Sequence, residues 1–573
     1  MRYSKLFGKT RKGSKELASK NATLLIRAGF IDQLMAGAYT FLPLGKRVLS
    51  KIENIIREEM DKIGDELLMT NLSPVENWKQ SGRYDTVDVL LKAVPANENS
   101  ADRHNAEYVM NPTNEDVVTP LVRDLVTSYK DFPLAVYHIQ TKFRNEPRAK
   151  SGILRGREFR MKDLYSFHLS QDDFKDYYEK SKQAYWAVFD KLSLSEQTII
   201  AAASGGDFTE DFSHEFQTKC DAGEDLIFEV PSTGECFNRE VAPAKAPEFS
   251  QPTEQLSLEE IAGDGVIGVE ALSVQMGIDP KQTTKTLFFQ NSSSEEDQMV
   301  AAVVRGDREM DEGKLAKVLG ISLAKLKLAS EEVVKKMTGS TIGYAGLLNL
   351  NPEVRVVVDE SCQNLNNFEM GGNKAGVHYK NVNWGRDVQV PELFHDIKVA
   401  KEGDIHPETG EVYKTFKACE IGNIFPLQTK FSDAFNFKIT GEDGTEQPVY
   451  MGCYGIGSSR VMGVLAEVFG DENGVAWPES VAPYKYHIVS IARSEDDESY
   501  KKSEELYKKL VQRGDEVLWD DRLNVRPGEK FADADLIGCP IRLVVSPKTL
   551  ESGSVEIKLR SEQGSKLIKF GEV

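Results

Sequence analysis

The sequence predicts an α+β multidomain chain with an antiparallel hairpin in its first part, a separate α/β unit inserted in its middle and a second α/β domain at the C-terminal end. Three observations carry this. The 573 residues correspond to about three or four domains at ~100–200 residues each. Residues 134–143 and 158–167 are runs of β-formers on either side of a loop holding Ser151, Gly152 and Gly156, the pattern of an antiparallel hairpin. Strand and helix signals alternate between 283 and 359 and again beyond Val481, as α/β units require.

The totals bound the rest. With 40% hydrophobic and 28% charged residues the chain has an ordinary globular composition. A net charge of −19 argues against a protein that coats DNA but leaves room for local basic patches. The six cysteines (220, 236, 362, 419, 453 and 539) include no CxxC pair, so they are expected to be reduced thiols of a cytoplasmic protein, with no structural zinc. Arg2, Lys5, Lys9, Arg11 and Lys12 make a basic start without an apolar core, and no run approaches ~18 apolar residues; neither export nor a membrane span is expected.

Taken in order, residues 37–45 lead through Pro43 into Val48, Leu49, Ile52, Ile55, Ile56, Met60 and Ile63, apolar positions at the three- and four-residue steps of an amphipathic helix. Asn111-Pro-Thr-Asn-Glu-Asp116 reads as a turn. From Arg144 to Lys162 seven Lys/Arg (144, 148, 150, 155, 157, 160, 162) stand against Glu146 and Glu158, a cationic island in an acidic chain whose expected occupant is a polyanion. Arg144 is read as lying on a strand, where a fixed guanidinium clamps phosphate bidentately.

Pro231, Pro243, Pro247 and Pro252 then mark a linker-like change of pattern. An inserted unit follows, with strands expected at 285–290, 299–304 and 354–359 and a helix at 311–319. Met451-Gly-Cys-Tyr-Gly-Ile-Gly-Ser-Ser-Arg460 is a glycine-rich strand end running into a helix at 461–469. Ser458 or Ser459 is expected to cap that helix, with Arg460 in its first, anion-favouring turn. The tail carries strand patterns at 487–492, 516–520, 541–546 and 554–560 and helix patterns near 495–513 and 527–536.

Phe143-Arg144-x-Glu146, a loop, then Arg157-Glu158-Phe159-x-x-x-Asp163 resembles motif 2 of the class II aminoacyl-tRNA synthetases. The apolar stripe from Val48 to Ile63, preceded by the Pro43 turn, resembles motif 1, and Gly455-x-Gly457-x-x-Arg460 resembles motif 3. Pro112-Thr113-x-Glu115 resembles a loop of the prolyl members of that class, the insertion between motifs 2 and 3 resembles the editing domain of their bacterial type, and Trp519-Asp-Asp-Arg522 with Gly528-Glu-Lys-Phe531 resembles the anticodon-binding domain shared by the class IIa enzymes. The order of these motifs is far more specific than any one of them.

The resemblance implies a class II antiparallel-sheet catalytic domain in two parts (1–222 and 408–476), an inserted editing domain (223–407) and an anticodon-binding domain (477–573). It implies ATP with Mg²⁺, L-proline and tRNA(Pro) as substrates and partners, and a homodimer with Pro43 near the interface. In the catalytic site it places Arg144 on the α-phosphate, Arg460 on the γ-phosphate, Phe159 on adenine, Glu146 at the base or ribose side and Glu420 near the nucleotide or its Mg²⁺. Thr113, Glu115, Phe167, His168 and Gly455 would form the proline pocket. Lys285, Asp359 and His378 would serve editing, and Asp520, Arg522 and Lys530 would meet anticodon bases. Where many members have histidine, this chain has Asn423, which cannot become cationic. Two alternatives stay open on sequence alone: another class IIa enzyme, such as one for threonine, or a tRNA-binding paralogue without catalysis.

Overall fold

The computed structural model describes residues 1–11, 19–149, 151–206, 208–209, 211–263, 265–292 and 298–573; Lys12 and Lys150, named above, lie outside them. The chain divides into two compact units. One comprises Met1–Ile200, Asp207–Asp225 and Lys417–Val573, and the other Ala201–Gly206 and Leu226–Phe416.

In the first unit, helix α1 (Pro43–Met60) begins with proline at its first turn, where a missing N–H costs nothing. It buries Leu44, Val48, Leu49, Ile52, Ile56 and Met60, and a side chain at Gly45 would collide with the Phe30 carbonyl. Strand β1 (Leu134–Phe143) pairs antiparallel with β2 (Glu158–His168) along its whole length. Helix α2 (Gln171–Lys191) follows. Strands β3 (Ser213–Lys219), β4 (Lys414–Gln428) and β5 (Tyr450–Ile456) extend the sheet in the spatial order β3, β4, β5, β2, β1, all antiparallel.

The sheet has two faces with different tasks. Helices α1, α2 and α3 (Ser458–Val468) enclose the larger apolar core. Across the sheet, Val118, Tyr165, Phe167, Leu427, Phe431, Phe437 and Met451 form a smaller one. Because side chains alternate along a strand, the odd residues of β2 (159, 161, 163, 165, 167) share one face and the even ones the other.

The last part of this unit is a five-stranded sheet in the order Val517–Asp520, Tyr486–Ser490, Ile541–Val545, Ser554–Leu559, Lys566–Lys569. The first two pairings are parallel and the last two antiparallel, with helices Glu498–Gln512 and Pro527–Ile537 between strands. The final strand carried no sequence signal. The N-terminal segment joins this domain: Tyr3 is fully buried, Arg2 lies 4.7 Å from the Trp519 ring, and Ser4 bonds Asp521 through both backbone and hydroxyl.

The second unit holds a five-stranded mixed sheet containing Thr284–Asn291, Gln298–Arg305 and Arg355–Asp359, with helix Glu312–Leu319. It adds a three-stranded sheet of Glu259–Ala262, Val377–Val382 and Phe368–Gly371. Among the described residues no helix is long and apolar enough to cross a membrane.

Candidate active site

A pocket opens where the odd-numbered face of β2 leaves the core. Phe159, Met161 and Asp163 of β2, Asn423 and Phe425 of β4, and Cys453 and Gly455 of β5 line it, together with Thr113, Arg144, Glu146, Arg155, Glu420 and Arg460. A Cβ at Gly455 would stand 2.5 Å from Met161 Cε, the movable end of its side chain.

Of the three arginines that line this pocket, Arg144 and Arg460 differ most in their surroundings. Arg144 follows the last residue of β1 instead of lying on the strand, because its N–H turns to the Arg157 carbonyl at 2.9 Å across the hairpin mouth. Its side chain lies 5.1 Å from the Phe159 ring and has no carboxylate partner among the described residues. Desolvation, then the like charge of Arg460, lowers its pKa. Arg460 is held more firmly, Nε donating to the Leu154 carbonyl at 2.8 Å and Nη1 to Glu420 Oε2 at 2.7 Å. Burial opposes its charge, but Glu420 outweighs this and raises its pKa. Glu146 pairs with Arg155 at 2.9 Å, and Arg155 also reaches Glu224 at 2.8 Å.

Ser458 and Ser459 do not cap α3. The helix begins at Ser458 with Gly457 before it, and the two hydroxyls are turned to other elements: Ser459 accepts from the Arg160 N–H at 3.1 Å, and Ser458 lies 3.4 Å from Glu53 of α1. Arg160, on the even face of β2, bonds the same Glu53 at 2.8 Å. These contacts tie the expected motifs 1, 2 and 3 together behind the pocket.

Thr113 donates its hydroxyl to Glu115, which is fully buried and does not line the pocket. Arg83 lies 3.3 Å from Glu115 and 2.7 Å from Asp116, among the rings of Trp78, Phe208 and Phe431. Desolvation raises the Asp116 pKa despite Arg83. Asn423 lines the pocket with its amide 3.4 Å from Glu215.

Two expected pocket walls are elsewhere. Phe167 has the right parity but sits deeper along β2, in the core against Phe437 at 6.1 Å between centroids. His168 has the wrong parity: it turns to the helix side, bonds Asp173 at 2.7 Å and packs on Tyr177.

A buried network was missed. Lys142 Nζ donates to Asn114 Oδ1, to His138 Nε2 at 2.9 Å and to Asp163 Oδ2 at 2.9 Å. All four side chains are essentially inaccessible. The available signal was period-2 polarity, His138, Gln140 and Lys142 falling on one face of a strand. On the even face, Lys162 is fully buried, bonded to Tyr185 at 2.7 Å, and burial lowers its pKa to about 7.

The second unit does not present its expected residues as one open cluster. Lys285 on Thr284–Asn291 is partly exposed and bonds Glu309 at 2.7 Å. Asp359 is fully buried and spends its oxygens on Ser361 and the Ile397 N–H. His378 is buried against Tyr344, with Nδ1 2.8 Å from Glu369. No described contact joins the three.

In the C-terminal domain, Arg522 is bidentate to Asp520 (2.8 and 2.6 Å), reaches Asp533 at 2.8 Å and lies 4.1 Å from the Tyr3 ring. Lys530 is turned inward to the Ser490 carbonyl at 2.7 Å and to the Arg522 carbonyl. Asp520 is fully buried. The three residues expected to meet bases therefore form a closed internal cluster.

Comparisons with known proteins agree with this architecture. The model of the tRNA synthetase class II core domain (G, H, P, S and T) matches residues 97–469, and an anticodon-binding domain model matches 485–573. The chain is 40% identical to a proline–tRNA ligase of Thermoanaerobacter pseudethanolicus over 96% of this chain and 94% of the relative. It is 38% identical to one of Bacillus cytotoxicus over 100% and 98%. In fold it is similar to the prolyl-tRNA synthetase of Giardia lamblia in complex with prolyl-adenylate (TM-score 0.57, 13% identity, 97% of this chain and 75% of that one). It is also similar to that of Cryptosporidium parvum complexed with halofuginone and AMPPNP (TM-score 0.56, 12% identity, 96% and 73%).

Proposed function

Because the chain belongs to the proline–tRNA ligases, class II aminoacyl-tRNA synthetases with an anticodon-binding domain, we propose that its pocket joins proline to ATP as prolyl-adenylate before transfer to tRNA(Pro). The observation that carries this reading is the pair Arg144 and Arg460 facing one pocket, Arg144 with no carboxylate partner among the described residues.

In-line attack by the proline carboxylate on the α-phosphorus forms a C–O–P bond and expels pyrophosphate. Charge grows on the phosphoryl oxygens, so cations already in position supply most of the stabilisation. Arg144 meets the α-phosphate and Arg460 the γ-phosphate. Phe159 stacks on adenine, and Glu146 lies at the base or ribose side. Thr113, its hydroxyl oriented by Glu115, reads the proline nitrogen above Gly455.

Among the described residues no group of three or more His, Cys, Asp or Glu side chains is placed to hold a metal. Glu420 is the pocket carboxylate that would meet a Mg²⁺ ion carried by the ATP phosphates, and such an ion supplies further charge neutralisation when bound. The enzyme works as a cytoplasmic homodimer, with Pro43 near the interface.

A pocket shaped for proline rejects smaller amino acids by only about 1–3 kcal/mol per missing methylene, so the inserted unit clears Ala-tRNA(Pro) by hydrolysis, with Lys285, Asp359 and His378 in that site. Amino-acid-dependent ATP–pyrophosphate exchange across all twenty amino acids tests the activation reading: exchange peaks with proline and is weakly supported by alanine, and exchange peaking with another amino acid overturns it. Lys285→Ala tests editing: wild-type rates of Ala-tRNA(Pro) hydrolysis in that variant contradict the assignment.

A further inference from the structure

The carboxylates around Arg522 face inward because a segment from the other end of the chain meets them. The Ser4 N–H donates to Asp521 Oδ1 at 2.8 Å and the Ser4 hydroxyl to Oδ2 at 2.7 Å. The Thr10 hydroxyl donates to Asp533 Oδ1 at 2.7 Å, so that the Tyr3 hydroxyl, 2.9 Å away, donates to it in turn. Asp533 Oδ2 takes Arg522. Three of the four oxygens of Asp521 and Asp533 are therefore bonded by residues 4 and 10.

The same segment is seated on the catalytic domain by the residues in between. Leu6 is buried with Leu24, Leu25 and Phe30. Gly8 has φ +76°, and a Cβ there would stand 2.9 Å from Leu42 Cδ1. Arg11 donates its N–H to the Arg27 carbonyl at 2.7 Å and pairs with Asp32 at 2.7 Å. None of these residues lines the pocket.

We infer that residues 2–11 are a clasp that fixes where the anticodon-binding domain presents tRNA relative to the pocket, with Ser4 and Thr10 as its positioning residues; this rests on the chain charging tRNA(Pro) as proposed above. Domains of one chain move against each other unless something fastens them. Glu516, bonded to Arg47 and Lys51 of α1, fastens this domain at one place, and a domain fastened at one place can still turn about it. The clasp is a further fastening, made of hydrogen bonds to ionised oxygens, which are the stronger kind, between residues 517 and 523 apart in sequence. A tRNA held at its anticodon must bring its 3′ end into reacting geometry, where a misplacement of about 1 Å is enough to slow transfer severely. The clasp therefore acts on the tRNA step and leaves amino-acid activation alone.

The test uses the full chain with Ser4→Ala and Thr10→Val together, which removes both hydroxyls without touching the pocket. Three quantities are measured: ATP–pyrophosphate exchange with proline, charging of full-length tRNA(Pro), and binding of an RNA hairpin made of the anticodon stem and loop alone. The double variant is expected to keep exchange within about twofold and hairpin affinity within about threefold of the wild type, and to lose about tenfold or more in kcat/KM for charging. Ser4→Thr with Thr10→Ser, which keeps both hydroxyls, is expected to charge within about threefold of the wild type.

Undiminished charging by the folded double variant overturns the inference. A fall in exchange that matches the fall in charging also overturns it, because the segment would then only support the catalytic domain. So does a matching fall in hairpin affinity, because the segment would then only support the surface that binds the anticodon. If the double variant does not fold, Tyr3→Phe, which removes the hydroxyl bonded to Thr10 and keeps the ring beneath Arg522, is measured in the same way. It is expected to show the same split at about threefold or more, and its absence overturns the inference. A wild type that charges no tRNA(Pro) overturns the reading beneath the clasp, whereas a wild type that charges it beside a variant without the split overturns the clasp alone.

Discussion

Arg144 and Arg522 are both expected from the sequence to meet nucleic acid or nucleotide, and the fold treats them oppositely. Arg522 is surrounded by Asp520 and Asp533, with Tyr3 beneath it. Arg144 lies against an aromatic ring and near a second arginine, and although Glu420, Asp163 and Glu115 act on it from further off, no carboxylate is paired with it among the described residues. A buried cation whose hydrogen bonds are already made inside the protein holds structure together, whereas one left without an internal anion is prepared for an external one. Availability, more than residue type or local charge, distinguishes a binding residue from a structural one.

The comparison can be broken in several ways. The largest effect is expected from Arg144→Ala, which should reduce pyrophosphate exchange by at least 100-fold, on the order of 3–4 kcal/mol of transition-state stabilisation, with an unchanged melting curve. Next comes Arg522→Ala. It leaves Asp520 buried beside Lys530 alone, 3.7 Å away, and should cost about 3 kcal/mol of stability in urea titration. A neutral outcome would mean that the cluster is not structural.

His487, in the same domain, sharpens the contrast through pH. Neither ring nitrogen has a hydrogen-bond partner among the described residues, and burial pushes its pKa from 6.5 down to about 4. The unfolded chain therefore binds a proton that the folded chain refuses between those values, and stability falls as pH drops from about 6.5 to about 4, by about 2–3 kcal/mol. His487→Phe should flatten that part of the stability–pH curve. The smallest effect is Phe159→Leu, which removes the ring beneath Arg144 and should raise KM for ATP by a factor equivalent to about 1 kcal/mol, leaving KM for proline unchanged.

Some of this was legible in the sequence and some was not, for identifiable reasons. The amphipathic spacing from Val48 to Ile63, the hairpin at 134–167 and the glycine-rich run before Arg460 all report local physics, and each became the element it announced, except that the helix ends at Met60 and leaves Ile63 beyond it. His168 was misplaced because a strand's two faces go to different environments, and Phe167 because the pocket-side face of β2 passes into core before reaching it; both depend on partners hundreds of residues away.

The pairing state of Arg522 and Lys530 was equally invisible. It depends on Tyr3, Ser490 and Asp533, which converge only in three dimensions. Lys142 escaped notice for the opposite reason: next to a basic island it looks like one more surface charge, although the fold buries it completely.

The most direct measurement is a paired one: ATP–pyrophosphate exchange with proline and thermal melting, performed on Arg144→Ala and Arg522→Ala side by side. The account predicts that Arg144→Ala loses exchange and keeps its melting temperature, while Arg522→Ala loses melting temperature and, below its transition, keeps exchange. If Arg144→Ala destabilised the fold, or if Arg522→Ala abolished exchange while still folded, the distinction between the partnered and the unpartnered arginine would be contradicted.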